Sequence, residues 1–325
     1  MNKTALIIGA NGQDASYMAE FLIEKGYVVH GTIRRNSVPE SQTTRIEHLR
    51  SQDLITLHYM DLTDPISVES IINELKPDEI YHLAAQSHVQ ISFELPKYTL
   101  DVNAGGTLAV LEAVRKFSPK SKIYHAATSE MFGNQSDQDY FQRETTKMIP
   151  VSPYGCSKLY AHSLCHNYRN SYNMFISSGI LFNHESPRRG INFVTNKVVL
   201  EAVKIKLGLS NELVLGNLDA MRDWGHAKDY VEGMWLMLQQ EKPNDYVLAT
   251  GISNKVSDLV DYVFGKLELG QEKYVKLDKK FERAEELHYL RGDATKAKTE
   301  LGWQPKYTFE SMLDEMIEYW LNKLS

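Results

Sequence analysis

A chain of 325 residues, 42% hydrophobic and 24% charged, can bury one large core or one large and one smaller, and is neither disordered nor collagen-like. A net charge of −6 at pH 7 argues against nucleic acid or an anionic membrane as the main partner, and no apolar run approaches membrane-spanning length. The two cysteines, Cys156 and Cys165, belong to no CxxC or Cys/His pattern, so neither a disulfide nor a metal site is expected and the expected compartment is the reducing cytoplasm.

From the N-terminus, ALIIGA reads as a short buried strand ending at Gly9, and SYMAEFLIEKG reads as a helix stopped at Gly26. Between them lies a GxxGxxA turn, Gly9-Ala10-Asn11-Gly12-Gln13-Asp14-Ala15. Glycines at such a turn admit a pyrophosphate close to the backbone, and the following helix start holds it by free N–H groups and dipole. Gly9, Asn11, Gly12, Gln13 and Asp14 are the candidates for that cradle. Taken alone the pattern is equally a tight turn, but YVVHGTI, LITLHYMDL, EIYHLAA and KIYHAA follow as further strands with helical runs between them. The expected fold class is therefore α/β, a doubly wound, mainly parallel Rossmann-type sheet.

The second strand ends in Arg34 and Arg35, followed by Asn36 and Ser37. Such a pair is also compatible with a solvated surface; at this place in this fold it favours the 2'-phosphate of NADP over NAD. Asp61 and Leu62 end the third strand, and Leu83, Ala84 and Gln86 end the fourth, at the carboxyl edge where ligands bind in open parallel sheets. For the alanine, plain helix–sheet packing remains the other reading.

The fifth strand runs into TSEMFG. Thr128, Ser129 and Glu130 in succession form either a helix cap or the mouth of an active site. Downstream, SPYGCSK puts Tyr154 and Lys158 one helical turn apart, where an ammonium favours the phenolate of a nearby tyrosine. In the helix before the fifth strand, Asn103 is a candidate for positioning the Ser–Tyr region. MFISSGILF is a sixth strand. After it comes NHESPRRG, in which Asn183, Glu185 and Arg188 are candidates for a sugar or phosphate pocket. Trp224 and KDYVEGMWLML are expected to pack on the sheet, with Met234, Trp235 and Leu238 in the core.

The stretches GANGQDASYMAEFLIEKGYVVHGTIRR, LAAQSHVQISFELP, TSEMFG, SPYGCSK, LFNHESPRRG, GNLDAMRDWGHAKDYV and LGWQPK span the chain from residue 4 to about residue 310. Together they resemble the extended short-chain dehydrogenase/reductase family and, within it, the subfamily of GDP-mannose 4,6-dehydratases. The resemblance implies dehydration of GDP-D-mannose to GDP-4-keto-6-deoxy-D-mannose, with hydride passing from C4 to C6 through tightly bound NADP, in deoxyhexose synthesis such as that of GDP-fucose. Tyr154 would be the base at the 4-hydroxyl, Thr128 its hydrogen-bonding partner, Lys158 its electrostatic support, Glu130 the acid–base group at C5 and C6, and Ser129 an assistant. Tyr154, Lys158, His184 and Arg189 would contact the cofactor, Arg189 across a subunit boundary of a homodimer or homotetramer. Ser87, Asn183, Glu185, Lys197, Arg222, Arg283 and Glu286 would hold the nucleotide sugar. The implied division is a cofactor domain of residues 1–182 and about 219–252, and a smaller, mostly helical substrate lobe of about 183–218 and 253–325.

Three positions depart from the pattern. Ala15 stands for the third glycine, the stretch up to Arg283 reads KKFER rather than a run with aromatics followed by Arg-Pro, and Ala284 stands where proline is usual. Rival expectations are a nucleotide-sugar 4-epimerase or 4-reductase, a dehydratase of another GDP-sugar, and a non-catalytic NADP-binding module. Glu130 speaks against the epimerase, and Thr128, Glu130, Tyr154 and Lys158 together speak against the module.

Overall fold

The computed structural model describes residues 2–35, 43–278, 280 and 285–325. Its strands are β1 (Thr4–Ile8), β2 (Val28–Ile33), β3 (Thr56–Tyr59), β4 (Glu79–His82), β5 (Lys122–Thr128), β6 (Ile176–Leu181), β7 (Asn183–Glu185), β8 (Leu213–Leu215), β9 (Met221–His226), β10 (Tyr246–Leu248), β11 (Ser253–Lys255) and β12 (Val275–Leu277). Its α-helices are α1 (Gln13–Glu24), α2 (Glu47–Arg50), α3 (Pro65–Leu75), α4 (Val89–Glu94), α5 (Pro96–Leu100), α6 (Gly106–Phe117), α7 (Pro153–Tyr172), α8 (Val194–Lys206), α9 (Ala227–Gln239), α10 (Val256–Lys266), α11 (Gln271–Tyr274) and α12 (Phe309–Leu324).

Seven strands make one sheet in the order β10-β6-β5-β4-β1-β2-β3, and every neighbouring pair is parallel. Parallel strands need helices on both faces, which is why ALII and ISSGIL are apolar or small throughout rather than alternating. On one face Met18, Leu22, Met234 and Leu238 of α1 and α9 meet Ile7 and Tyr81; on the other Ile72, Val110 and Val114 of α3 and α6 meet Leu6, Ile80 and Ile123. The helices start where the sequence supplies caps. Asp64 accepts the Ile66 N–H ahead of Pro65, and Ser152 accepts the Gly155 N–H ahead of Pro153. The expected parallel sheet is present, and all of its pairings are parallel.

A second apolar cluster gathers α8, α10 and α12 around Val203, Leu259, Phe264, Met312 and Met316, beside the parallel pair β8–β12. Trp224 belongs to this cluster rather than to the sheet. Trp235 is only partly buried, lying edge-on to Phe21 with its Nε1 donating to the Tyr27 hydroxyl (3.1 Å). Trp224 departs from the expected packing because it sits in β9, outside the large sheet, whereas Trp235 stays on the sheet side at the margin of the core. The C-terminal segment also divides: Ala297, Leu301 and Trp303 pack with α9 in the sheet's core, whereas α12 packs in the second cluster. Between the two bodies, β7 pairs with β9, and β9 with β11. This three-stranded sheet brings Asn183–Glu185 beside Trp224–His226 at the carboxyl edge of the large sheet.

Candidate active site

At the end of β1, Gly9 adopts φ +90°, and a Cβ there would meet the Ala84 Cβ at 2.8 Å. The turn therefore lies as near to the β4 end as glycine permits. Its amide donates to the Thr32 hydroxyl (3.2 Å), and Gly12 precedes α1 with no side chain capping the first helical turn. An uncapped helix start with a glycine cradle is the donor set that a dinucleotide pyrophosphate requires. Asn11, Gly12, Gln13, Asp14, Asp61, Leu62, Leu83, Ala84 and Gln86 all line the same cleft.

Asp14 and His184 form the electrostatic floor of this end. His184 Nε2 lies 2.8 Å from the Asp14 carboxylate and Nδ1 lies 2.7 Å from the Phe182 carbonyl, so both ring nitrogens face acceptors. The carboxylate beside it raises the imidazole's pKa against its burial, and the imidazole in turn lowers that of Asp14. Arg189 lines the cleft, its Nε 3.1 Å from Glu185 and its guanidinium 3.7 Å over the Phe193 ring.

The two arginines after β2 part company. Arg34 lines the cleft and donates to the Tyr98 hydroxyl; Arg35 does not line it, and its guanidinium carbon stands 5.5 Å from the Tyr59 ring. Arg35 is therefore not brought to the predicted cofactor site. Asn36 and Ser37 lie outside the described residues.

β5 delivers Thr128 in extended conformation to a 3₁₀ turn, Ser129–Met131. The Thr128 hydroxyl accepts the Glu130 N–H (3.3 Å), so the capping reading of TSEMFG is realised. The site reading holds beside it, since Thr128, Ser129 and Glu130 line the cleft with Tyr154 and Lys158. Ser152 and Pro153 start α7 directly before Tyr154, and Gly155 permits the helix to lie against the turn, because a Cβ there would meet the Glu130 carbonyl oxygen at 2.8 Å.

Burial pushes the Tyr154 phenol up to about 12; a hydrogen bond with Thr128 pulls it down and the Glu130 charge pushes it further up. Lys158 donates to the Ala126 carbonyl (2.9 Å), and burial lowers it to about 8. Burial of the phenolate is the largest influence on Tyr154 in the protein alone; the expected lowering by Lys158 is one that acts together with the positive charge of a nicotinamide. Asn103 holds this region as expected, but through Ser157: its amide donates to Ser157 Oγ and to the Gln86 carbonyl (both 3.0 Å), and its oxygen accepts the Gln86 N–H (2.8 Å).

At the other end of the cleft lie Ser87, Asn183, Glu185, Lys197, Arg222 and Glu286. Lys197 donates to the Val214 carbonyl (2.6 Å), and an Arg222 amino group is 3.4 Å from Glu286. Glu185 is fully buried, accepting from the Thr195 hydroxyl and ion-paired with Arg189, so it shapes the wall from within. Arg188 leaves the pocket for α1, donating to Ser16 (3.0 Å) and Glu20 (2.7 Å). Arg283 lies outside the described residues.

The cleft measures about 1520 Å³, room for a dinucleotide and a nucleotide sugar together. Sequence reasoning missed Tyr98, which stands 64 residues from Arg34 with no motif linking them, and Thr32, whose place on β2 next to the turn its alternation alone could have marked.

Among known proteins, the family described as GDP-mannose 4,6 dehydratase matches residues 6–316. GDP-mannose 4,6 dehydratase 2 of Arabidopsis thaliana is 51% identical over 97% of this chain and 86% of its own length. The Homo sapiens GDP-mannose 4,6 dehydratase is 49% identical over 96% and 90%, and the Vibrio cholerae enzyme of that name 45% identical over 97% and 92%. Among solved structures, RMD from Pseudomonas aeruginosa complexed with NADPH superposes with a TM-score of 0.80 at 22% identity, covering 99% of this chain and all of that one. UDP-glucuronic acid 4-epimerase from Bacillus cereus superposes with a TM-score of 0.87 at 21% identity over 99% and 100%, a likeness of fold. With the glycine cradle, the Thr128–Glu130 turn and the Tyr154–Lys158 helix on one cleft, and relatives matched over nearly their whole length, the chain belongs to the GDP-mannose 4,6-dehydratase family.

Proposed function

We propose that the protein is an NADP-dependent hydro-lyase that converts GDP-D-mannose to GDP-4-keto-6-deoxy-D-mannose and water, a step toward deoxyhexoses. The observation that carries this reading is the convergence of Glu130 with Thr128, Tyr154 and Lys158 on a cleft that also runs to Arg222 and Lys197. An epimerase needs one acid–base group at C4, whereas elimination needs a second at C5 and C6. Glu130 is that second group.

When bound, NADP supplies a hydride acceptor for C4, a cation that favours the phenolate of Tyr154, and the same hydride for C6. Tyr154 accepts the proton of the 4-hydroxyl, Thr128 hydrogen-bonds the same oxygen, and Lys158 stabilises the phenolate. Once C4 is a ketone, the C5 proton is acidic. Glu130 takes that proton and gives one to the departing 6-hydroxyl, with Ser129 assisting, so that water leaves and the carboxylate ends as it began; when C6 is reduced, Tyr154 returns to C5 the proton it took from the 4-hydroxyl. Gly9, Asn11, Gly12, Gln13, Asp14, Asp61, Leu62, Leu83, Ala84, Gln86, His184 and Arg189 hold the cofactor, with Arg34 on its 2'-phosphate. Ser87, Asn183, Lys197, Arg222 and Glu286 hold the GDP-sugar, Arg222 and Lys197 supplying the charge a diphosphate needs; we assign Arg283 there by family likeness, and give Glu185 the wall beneath.

The cofactor body comprises residues 1–182 and about 219–252, and the nucleotide-sugar lobe about 183–218 and 253–325, with 297–303 returning to the first. Exposed Leu95, Leu100, Leu108 and Tyr160, on or beside the contacting α5, α6 and α7, support assembly as a homodimer or homotetramer. Two free cysteines and the absence of any membrane-length apolar helix among the described residues support a cytoplasmic setting.

The test is mass spectrometry of GDP-mannose and a panel of other nucleotide sugars incubated with the protein and NADP. Loss of one water from GDP-mannose, without net cofactor reduction, is expected. An isomer of unchanged mass would make the protein an epimerase, and a net reduced product a reductase. Water loss from another GDP-sugar alone would move the substrate.

A further inference from the structure

Arg45 belongs to none of the motifs above, yet it touches two of them. It lies just before α2 in the connection from β2 to β3, and its guanidinium reaches two backbone carbonyls in two other segments. Nη1 donates to the Asn11 carbonyl (3.0 Å) in the glycine turn, and Nε donates to the Arg188 carbonyl (2.8 Å) in the loop after β7. Those segments supply the two walls of the cofactor end of the cleft, Asn11 and Asp14 on one side and His184 and Arg189 on the other.

The walls are also laced directly. Ser186 Oγ donates to the Gln13 side-chain oxygen (2.8 Å), and Gln13 Nε2 donates to the His184 carbonyl (3.1 Å). Arg45 adds a tie that comes from a third segment and holds both walls at once. Only a planar guanidinium suits that task, since its fork directs two donors at two fixed acceptors, whereas an ammonium is a single point. The Asn11 carbonyl is moreover a negative dipole beside an anion site, and the guanidinium holds it in a bond that neutralises it.

We propose that Arg45 is a positioning residue for the dinucleotide, a strap that keeps the glycine turn and the His184–Arg189 loop together and thereby slows cofactor release. The inference rests on the NADP reading above. An enzyme that restores its cofactor within each turnover has no need to release it, so slow dissociation serves this reaction where it would hinder a dehydrogenase.

The test compares wild type, R45M and R45K, each loaded with NADPH. NADPH release into excess NADP⁺ is followed by fluorescence, alongside GDP-mannose affinity by calorimetry and the melting temperature. R45M should release NADPH on the order of tenfold faster through loss of two charge-assisted hydrogen bonds, with R45K between it and wild type. Affinity of the loaded proteins for GDP-mannose should stay within about twofold, as for sites without shared partners. A wild-type release rate in R45M overturns the proposal, and so does equal weakening of both ligands in step with a lower melting temperature. If R45M does not fold, R45K decides alone, and a wild-type rate in it overturns the strap. Wild-type protein that retains no NADPH would overturn the cofactor reading and this inference with it. Wild type that retains NADPH but leaves GDP-mannose intact would overturn only the reaction.

Discussion

Burial sets the chemistry of the Tyr154–Lys158 pair before any ligand arrives. It holds the phenol near 12 and the ammonium near 8, so each is pushed toward its neutral form and the pair awaits a further positive charge. Glu130, whose carbonyl oxygen lies against the start of α7, has a different task in the proposed reaction, that of the acid–base group at C5 and C6. Glu130→Gln keeps the shape and the hydrogen bond that the backbone N–H of residue 130 donates to the Thr128 hydroxyl but removes the proton acceptor. Water elimination should fall by roughly a thousandfold, within the range of a lost general acid–base, while NADP and GDP-mannose still bind; near-normal turnover by mass spectrometry would falsify the role. The arginines after β2 separate in the same way. Arg34 faces the cleft and Arg35 faces Tyr59, so Arg34→Ala should weaken NADP relative to NAD by about tenfold or more and Arg35→Ala by far less. Equal losses on titration with the two cofactors would sink that division.

The catalytic turn and the catalytic helix meet at Gly155, and the sign of a single methyl there shows how closely. In a free helix Gly→Ala gains about 1 kcal/mol. Here the new Cβ would stand 2.8 Å from both the Glu130 carbonyl oxygen and the Pro150 Cβ, and a backbone oxygen cannot swing aside as a side chain can. Gly155→Ala should therefore destabilise by about 1–3 kcal/mol in chemical denaturation and slow turnover by moving Tyr154 away from Thr128; a more stable, fully active variant would show that the turn has room to give. Elements of this kind were legible in the sequence where local chemistry announces them. Ser152-Pro153 marks the start of α7, Gly9 marks the β1 turn, and the apolar runs of β1, β4, β5 and β6 mark a sheet covered on both faces. What stayed illegible depends on distant contact. Nothing near Tyr98 says that Arg34 will find it, nothing near Trp224 says that α8, α10 and α12 will enclose it, and nothing near Arg188 says that it will turn from the pocket to Glu20. The burial of Tyr154 is illegible for the same reason, since a spacing of four shows the lysine but not the depth at which both are buried.

At the scale of the whole molecule, Asp223 is where the pieces are tied. It sits in β9 between Arg222, which lines the cleft, and Trp224, which anchors the second cluster. Its carboxylate is fully buried and accepts from the Thr250 N–H (2.8 Å), the Thr250 hydroxyl (2.7 Å), the Gly251 N–H (2.9 Å) and the Gly292 N–H (3.2 Å). One side chain thus joins β9, the chain after β10 and the returning C-terminal segment. Burial nevertheless outweighs those bonds and raises its pKa to about 6. A folded value above the unfolded one means that the native state binds the extra proton, so the contribution to stability is complete below the ordinary aspartate range and is lost as pH rises through about 6. The gap between the two values corresponds to roughly 3 kcal/mol. Asp223→Asn cannot titrate and turns an amide toward two N–H donors, so it should be less stable than wild type by about 1–3 kcal/mol or more. Denaturation between pH 4.5 and 7 should show the gap between the two proteins narrowing as pH rises, as wild type gives up the proton and the mutant does not change. A gap that widens instead would mean that the four donors, not burial, govern the carboxylate, and that β9 is held by a charge paired from the start.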